Sequence, residues 1–108
     1  MEITKLEDGT IKVKIKDKFY TLKEIPFSKF KQAVKAVTKP DGRIDGMDLM
    51  TKLISLSLVS PKMKDIDVEA LPTSESIALM QAVSELYNLS GENFLRISTE
   101  TSESNSSQ

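Results

Sequence analysis

The stretch Asp45–Ser60, DGMDLMTKLISLSLVS, limits what this chain can fold into more than any other. It carries Met47, Leu49, Met50, Leu53, Ile54, Leu56, Leu58 and Val59, and its polar residues Asp48, Lys52 and Ser55 fall on one narrow side. A helix that is apolar around most of its circumference must be covered around most of it. Asp45 is placed to cap such a helix, with Asp48 adding negative charge in its first turn, and Ser60-Pro61 to stop it. The rest of the chain is short enough to be its cover.

Residues 2–25 read as an antiparallel β-meander of two or three strands. Ile11, Val13 and Ile15 alternate with Lys12, Lys14 and Lys16, the period of a strand with one buried face. Asp8-Gly9 is a hairpin signal. As a two-residue loop it pairs Leu6 with Ile11; a second loop at Asp17-Lys18 pairs Ile15 with Tyr20 and Val13 with Leu22. All six then share the inner face, and Lys5, Lys12, Lys14, Lys16 and Lys23 take the outer one. Pro26-Phe27-Ser28 opens a helix whose Phe27, Phe30, Val34 and Val37 form one apolar stripe, ended by Thr38-Lys39-Pro40. Lys62–Leu71 is irregular, with a short helical turn at Val68–Leu71. A last main helix follows Pro72, capped by Thr73 or Ser74 and running to about Asn88 with Gly91 as its left-handed cap. Phe94, Leu95 and Ile97 fit one further turn returning to the core. The fold class is α+β: residues 1–97 as a single domain (meander 2–25, helical body 26–97 with three main helices), and Ser98–Gln108 as a disordered tail with no apolar residue.

Composition excludes more chemistry than it offers. The 108 residues include no histidine, cysteine or tryptophan, which removes disulfides, thiolate chemistry and the commonest general base and zinc ligand. No apolar run approaches the ~20 residues of a membrane span, and the first ten residues lack a signal-peptide core, so the chain is read as soluble and cytoplasmic. Net charge is −1, but residues 1–43 carry 11 Lys/Arg against 6 Asp/Glu, and residues 44–108 carry 4 against 10. That polarity can steer an acidic partner to one end or favour head-to-tail self-association.

Candidate sites are weighed against simpler uses of the same residues. Asp41-Gly42-Arg43-Ile44-Asp45 and Asp48 resemble the second half of an EF-hand loop, but Val37 and Lys39 occupy the first and third ligand positions, so a turn plus a helix cap is expected and no metal is assigned. Asp65, Asp67 and Glu69 read as a solvated acidic loop. No Gly-x-Ser-x-Gly elbow is present, and no nucleophile, catalytic residue or cofactor is assigned. The lysine face with Phe19 is a possible nucleic-acid surface, but it lacks arginines and further aromatics, and lysines also guard exposed sheets against pairing. Met47, Met50 and Met80 are read as core filling and Met63 as an exposed linker residue.

The order of parts is similar to that of a known family. A strand carrying Phe19-Tyr20, Leu22 and Ile25 precedes a helical body; an apolar helix ends Leu56-Ser-Leu-Val-Ser-Pro61; an acidic linker reaches Ala70-Leu71-Pro72-Thr73; and a helix Ile77-Ala-Leu-Met-Gln-Ala-Val-Ser-Glu-Leu86 follows. Over roughly Phe19–Leu89 this resembles the tail assembly chaperones of long-tailed bacteriophages and prophages. The resemblance implies a non-enzymatic protein of the host cytoplasm, absent from the mature virion, that holds the tape-measure protein and recruits the major tail protein during tail morphogenesis, with homo-oligomers possible. The Lys-rich first hairpin has no counterpart in that pattern. The expected partner contacts are Leu58, Val59, Met63, Ile66 and Leu71, where the apolar helix runs out into the linker.

Overall fold

The computed structural model describes residues 1–89. The further turn expected at residues 94–97, the cap at Gly91 and the tail at residues 98–108 lie outside them. The architecture is α+β. Strands β1 (Glu2–Lys5), β2 (Thr10–Ile15) and β3 (Lys18–Lys23) form the meander; helices α1 (Phe27–Val37) and α2 (Gly46–Ser57) follow; β4 (Leu58–Ser60) returns to the sheet; α3 (Asp65–Glu69) and α4 (Thr73–Leu86) complete the described chain. The sheet is antiparallel in the order β1-β2-β3-β4. It therefore holds a fourth strand beyond the two or three expected from sequence, and the short helical turn expected in the linker is the helix α3.

Alternation in β2 and β3 sets the inner face as expected: Ile11, Val13, Ile15, Tyr20 and Leu22 are all buried. The register differs. Ile15 pairs with Lys18 and Val13 with Tyr20 across a turn at Lys16-Asp17, where Lys16 adopts φ 57°; this two-residue shift preserves the faces. The first loop is one residue longer than expected. The Leu6 N–H donates to the Thr10 carbonyl, the Gly9 N–H donates to the Leu6 carbonyl, and Gly9 takes φ 87°, the three-residue form of a hairpin loop. The Asp8 carboxylate accepts from the Thr10 N–H and Oγ1, which holds the loop closed. The odd shift turns β1 over. Ile3, opposite Val13, packs on the core; Lys5 lies opposite Ile11; and Leu6, expected inside, is exposed.

α2 is the central helix. Asp45 caps it as expected, accepting from the N–H groups of Met47 and Asp48. Its buried residues Leu49, Met50, Leu53 and Ile54 meet α1, α3 and α4. It ends at Ser57, three residues before the expected stop. Leu58 and Val59 lie in the extended β4, with Leu58 inward beside Leu22 and Val59 outward. A helix continued to Ser60 would leave that edge of β3 unpaired, whereas extended backbone supplies it with hydrogen bonds.

Three further expectations are corrected. α4 begins at Thr73, so its cap position falls on Pro72 and no side chain caps it. Its C-terminus is closed by Asn88 at φ 57°: the Leu89 N–H reaches the Ser84 carbonyl and the Asn88 N–H the Glu85 carbonyl, a Schellman motif with asparagine in the usual glycine place. The helical turn in the linker is Asp65–Glu69, with Val68 buried beneath it. Of the methionines read as core, Met50 is buried, Met80 half-buried, and Met47 is 62% exposed; Met63, read as exposed, is half-buried.

Candidate partner-binding groove

Where α2 gives way to β4, the following chain doubles back along the end of the helix. Two polar contacts pin it there and a third closes the turn that follows. Ser55 Oγ donates to the Met63 carbonyl at 3.1 Å, the Lys52 ammonium meets the Asp65 carboxylate at 2.6 Å, and the Lys64 N–H donates to the Asp67 carboxylate at 3.0 Å, closing the first turn of α3. α3 packs against α2 with Val68 buried, and the chain between β4 and α3 leaves space beside the end of the helix. A depression of about 820 Å³ remains, with Leu56, Leu58, Met63 and Ile66 along it and Lys29, Lys52, Lys62 and Lys64 around it, Asp65 and Asp67 standing at one end. A second depression of about 620 Å³ shares Lys29, Leu56, Leu58 and Lys62 and extends past Val59 to Ile25 and Pro26.

Four of the five residues singled out from sequence line this double groove, and they differ in what they offer. Ile66 is 71% exposed and Val59 43% exposed, so both present aliphatic surface to solvent. Met63 is half-buried and lends one side to the groove. Leu58 is buried on the inner face of β4, so its role is core packing beneath the groove floor. Leu71 lines neither depression; it packs half-buried against the core and drops out of the site.

Sequence reasoning missed Leu56, 39% exposed, and the lysine rim. The signal was present. At 100° per residue, Met47 and Leu56 stand roughly 180° apart, at the two edges of the apolar arc of α2. Edge positions of so wide an arc are the ones neighbouring elements fail to cover.

Elsewhere the polar clusters are structural. Glu75, in the first turn of α4, is buried and accepts from the Tyr20 hydroxyl at 3.1 Å and the Lys18 ammonium at 3.3 Å, tying α4 to β3. Burial pulls its carboxyl up, but the bonds from Lys18 and Tyr20 and the charges of Lys18 and Lys16 outweigh it and hold the pKa below the usual value. The same contact, after burial itself, pushes Tyr20 up. A carboxylate kept ionised by two donors is suited to anchoring and poorly suited to giving up a proton. The EF-like loop is a closed turn. Gly42 takes φ 88°, Thr38 bridges Ile44, and Asp41 accepts from the Arg43 N–H and Nε, which holds its carboxyl low through the backbone bond first. The Asp41 carboxylate is thus engaged by the loop itself and that of Asp45 by the cap of α2. Among the described residues no helix is long and apolar enough to cross a membrane.

Comparison with protein-family models, with curated proteins and with solved structures finds no match.

Proposed function

We propose that this chain works by holding another polypeptide, with no reaction of its own, and that it is a tail assembly chaperone of a long-tailed phage or prophage. The observation that carries the holding role is the lysine-rimmed groove with Ile66, Val59 and Leu56 exposed along it. Aliphatic side chains bordered by cations suit an amphipathic segment with acidic flanks: burial supplies affinity and the rim supplies orientation. The chaperone assignment adds the order of strand, apolar helix, acidic linker and final helix over Phe19–Leu89. It names the tape-measure protein as the segment held and the major tail protein as a second partner, in the host cytoplasm and before the virion is complete.

The test is binding of a fragment of a phage tape-measure protein to wild type and to Ile66→Asp and Met63→Asp. Ile66 is exposed enough for its variant to keep the fold, which circular dichroism checks. Loss of binding by folded Ile66→Asp supports the groove; unchanged affinity removes it.

A second reading, a small nucleic-acid-binding module, draws on the outer face of the sheet. Phe19 is 54% exposed there, with the ammonium groups of Lys12 and Lys14 at 4.8 and 5.9 Å from its ring centroid. Those lysines occupy the ring face on which a base would stack, so the arrangement already satisfies itself. The readings separate by salt: nucleic-acid binding falls steeply as salt rises, and apolar burial does not.

A further inference from the structure

The other edge of α2 opens a second groove of opposite character. It runs between the start of α2, one side of α4 and β1, has a volume of about 650 Å³, and is lined by Met1, Ile3, Met47, Met50, Ile77 and Met80. Met1, Met47 and Ile77 are 54%, 62% and 53% exposed, so the apolar surface lies open. The charged side chains along it, Asp45 and Glu85, are both acidic. The lysines that rim the groove at the far end of α2 have no counterpart here.

We propose that this methionine groove binds a positively charged amphipathic helix from another polypeptide. Unbranched thioether side chains repack around ridges of varied shape, which suits a surface that must accept a helix without a fixed sequence. From Ile77 to Glu85 the groove follows about 12 Å of helix axis, enough for apolar anchors at i, i+3 or i+4 and i+7 of a partner. Glu85, together with the carboxylate oxygen of Asp45 that does not cap α2, selects lysine or arginine beside those anchors and repels acidic flanks. The molecule thereby carries two peptide sites of opposite charge preference at opposite edges of one helix. The methionine site stands independently of the lysine-rimmed groove.

Two labelled helical peptides of about 18 residues, one of leucine and lysine and one of leucine and glutamate in the same pattern, test this by fluorescence anisotropy. Read in Ile66→Asp protein, so that the lysine-rimmed groove does not take up the acidic peptide, the basic peptide is expected to bind at least about tenfold more tightly than the acidic one. Met47→Gln, which removes apolar surface without changing charge, and Glu85→Lys, which reverses the rim, should each weaken it several-fold, whereas Ile66→Asp should not. Equal binding of the two peptides to Ile66→Asp protein, indifference to Met47→Gln, or a loss of basic-peptide binding in Ile66→Asp as large as in Met47→Gln overturns the site. Sedimentation without peptide tests another occupant: self-association that Met47→Gln abolishes would give the groove to a second copy and overturn the assignment to a foreign helix.

Discussion

Replacing Tyr87 by phenylalanine tests how the ends of α2 and α4 are locked together. The Tyr87 hydroxyl accepts the Ile25 N–H at 3.0 Å and shares a 2.6 Å hydrogen bond with Ser57 Oγ. One oxygen thus joins the last residue of α2, the C-cap of α4 and the link between β3 and α1. Phenylalanine keeps the ring and removes only that oxygen. Each intramolecular hydrogen bond is worth roughly 0.5–1.5 kcal/mol net, and a buried group left without a partner costs about 1–3 kcal/mol. Ser57 is buried and Ile25 half-buried, so Ser57 carries most of the desolvation cost and Ile25 recovers part of its bond from water. The expected loss is about 1.5–3 kcal/mol, read in urea unfolding with an unchanged slope. At roughly 4–8 °C per kcal/mol for a domain of this size, the melting temperature falls by about 6–24 °C. Ser57→Ala in a double-mutant cycle should show coupling of at least about 0.5 kcal/mol. A variant within about 0.5 kcal/mol of wild type, or a cycle without coupling, would refute the lock.

Glu75→Gln should destabilise the fold at neutral pH, and its stability curve should meet that of wild type on the acid side. Because the folded pKa lies below the ordinary 4.5, the ionised carboxylate contributes stability above pH 4.5 that is lost as pH falls through the folded value; parallel curves down to pH 3 would contradict this. Tyr20, raised above 10.0, works in the opposite sense: its contribution holds below pH 10 and is lost as pH rises beyond it, so Tyr20→Phe should blunt the alkaline transition. Leu53→Ala, at a position 1% exposed in the centre of α2, should cost about 2–5 kcal/mol by calorimetry. Gly42→Ala meets no atom within 4 Å, so its cost should be that of a left-handed backbone alone, about 1–2 kcal/mol.

Much of this fold was legible because its signals are local. Strand alternation identified five inward residues, a proline and a short stripe identified α1, and Asp45 identified the start of α2. What failed was set by distant partners or by loop length. Asp8-Gly9 closes hairpins of two or three residues, and only the bond from Asp8 to Thr10 selects three, after which Ile3 rather than Leu6 faces inward. Leu58-Val59-Ser60 continues an apolar run that reads as helix, and the free edge of β3 turns it into a strand. The groove was half legible for the same reason. The linker's position in the chain pointed to Val59, Met63 and Ile66, whereas its lysine rim gathers Lys29 from α1 with Lys52, Lys62 and Lys64 from beyond it.

Both grooves follow from the width of the apolar arc on α2. Its centre, around Met50, Leu53 and Ser57, is buried on the side that meets α1, α3 and α4, and its polar side is tied to the linker where Lys52 meets Asp65 and Ser55 meets the Met63 carbonyl. A narrower arc would bury completely and leave a helix with no exposed aliphatic edge. The extra width leaves Met47 at one margin and Leu56 at the other, each beside elements that differ in charge. The opposite charge of the two margins does not come from the uneven charge along the chain: three of the four rim lysines, Lys52, Lys62 and Lys64, belong to the acidic residues 44–108, as do Asp45 and Glu85. Exposed aliphatic surface at both margins is a standing cost in solubility that a domain with a closed core avoids. Its placement in two shaped, oppositely charged grooves rather than across one flat patch is what argues for two polypeptide ligands over loose packing.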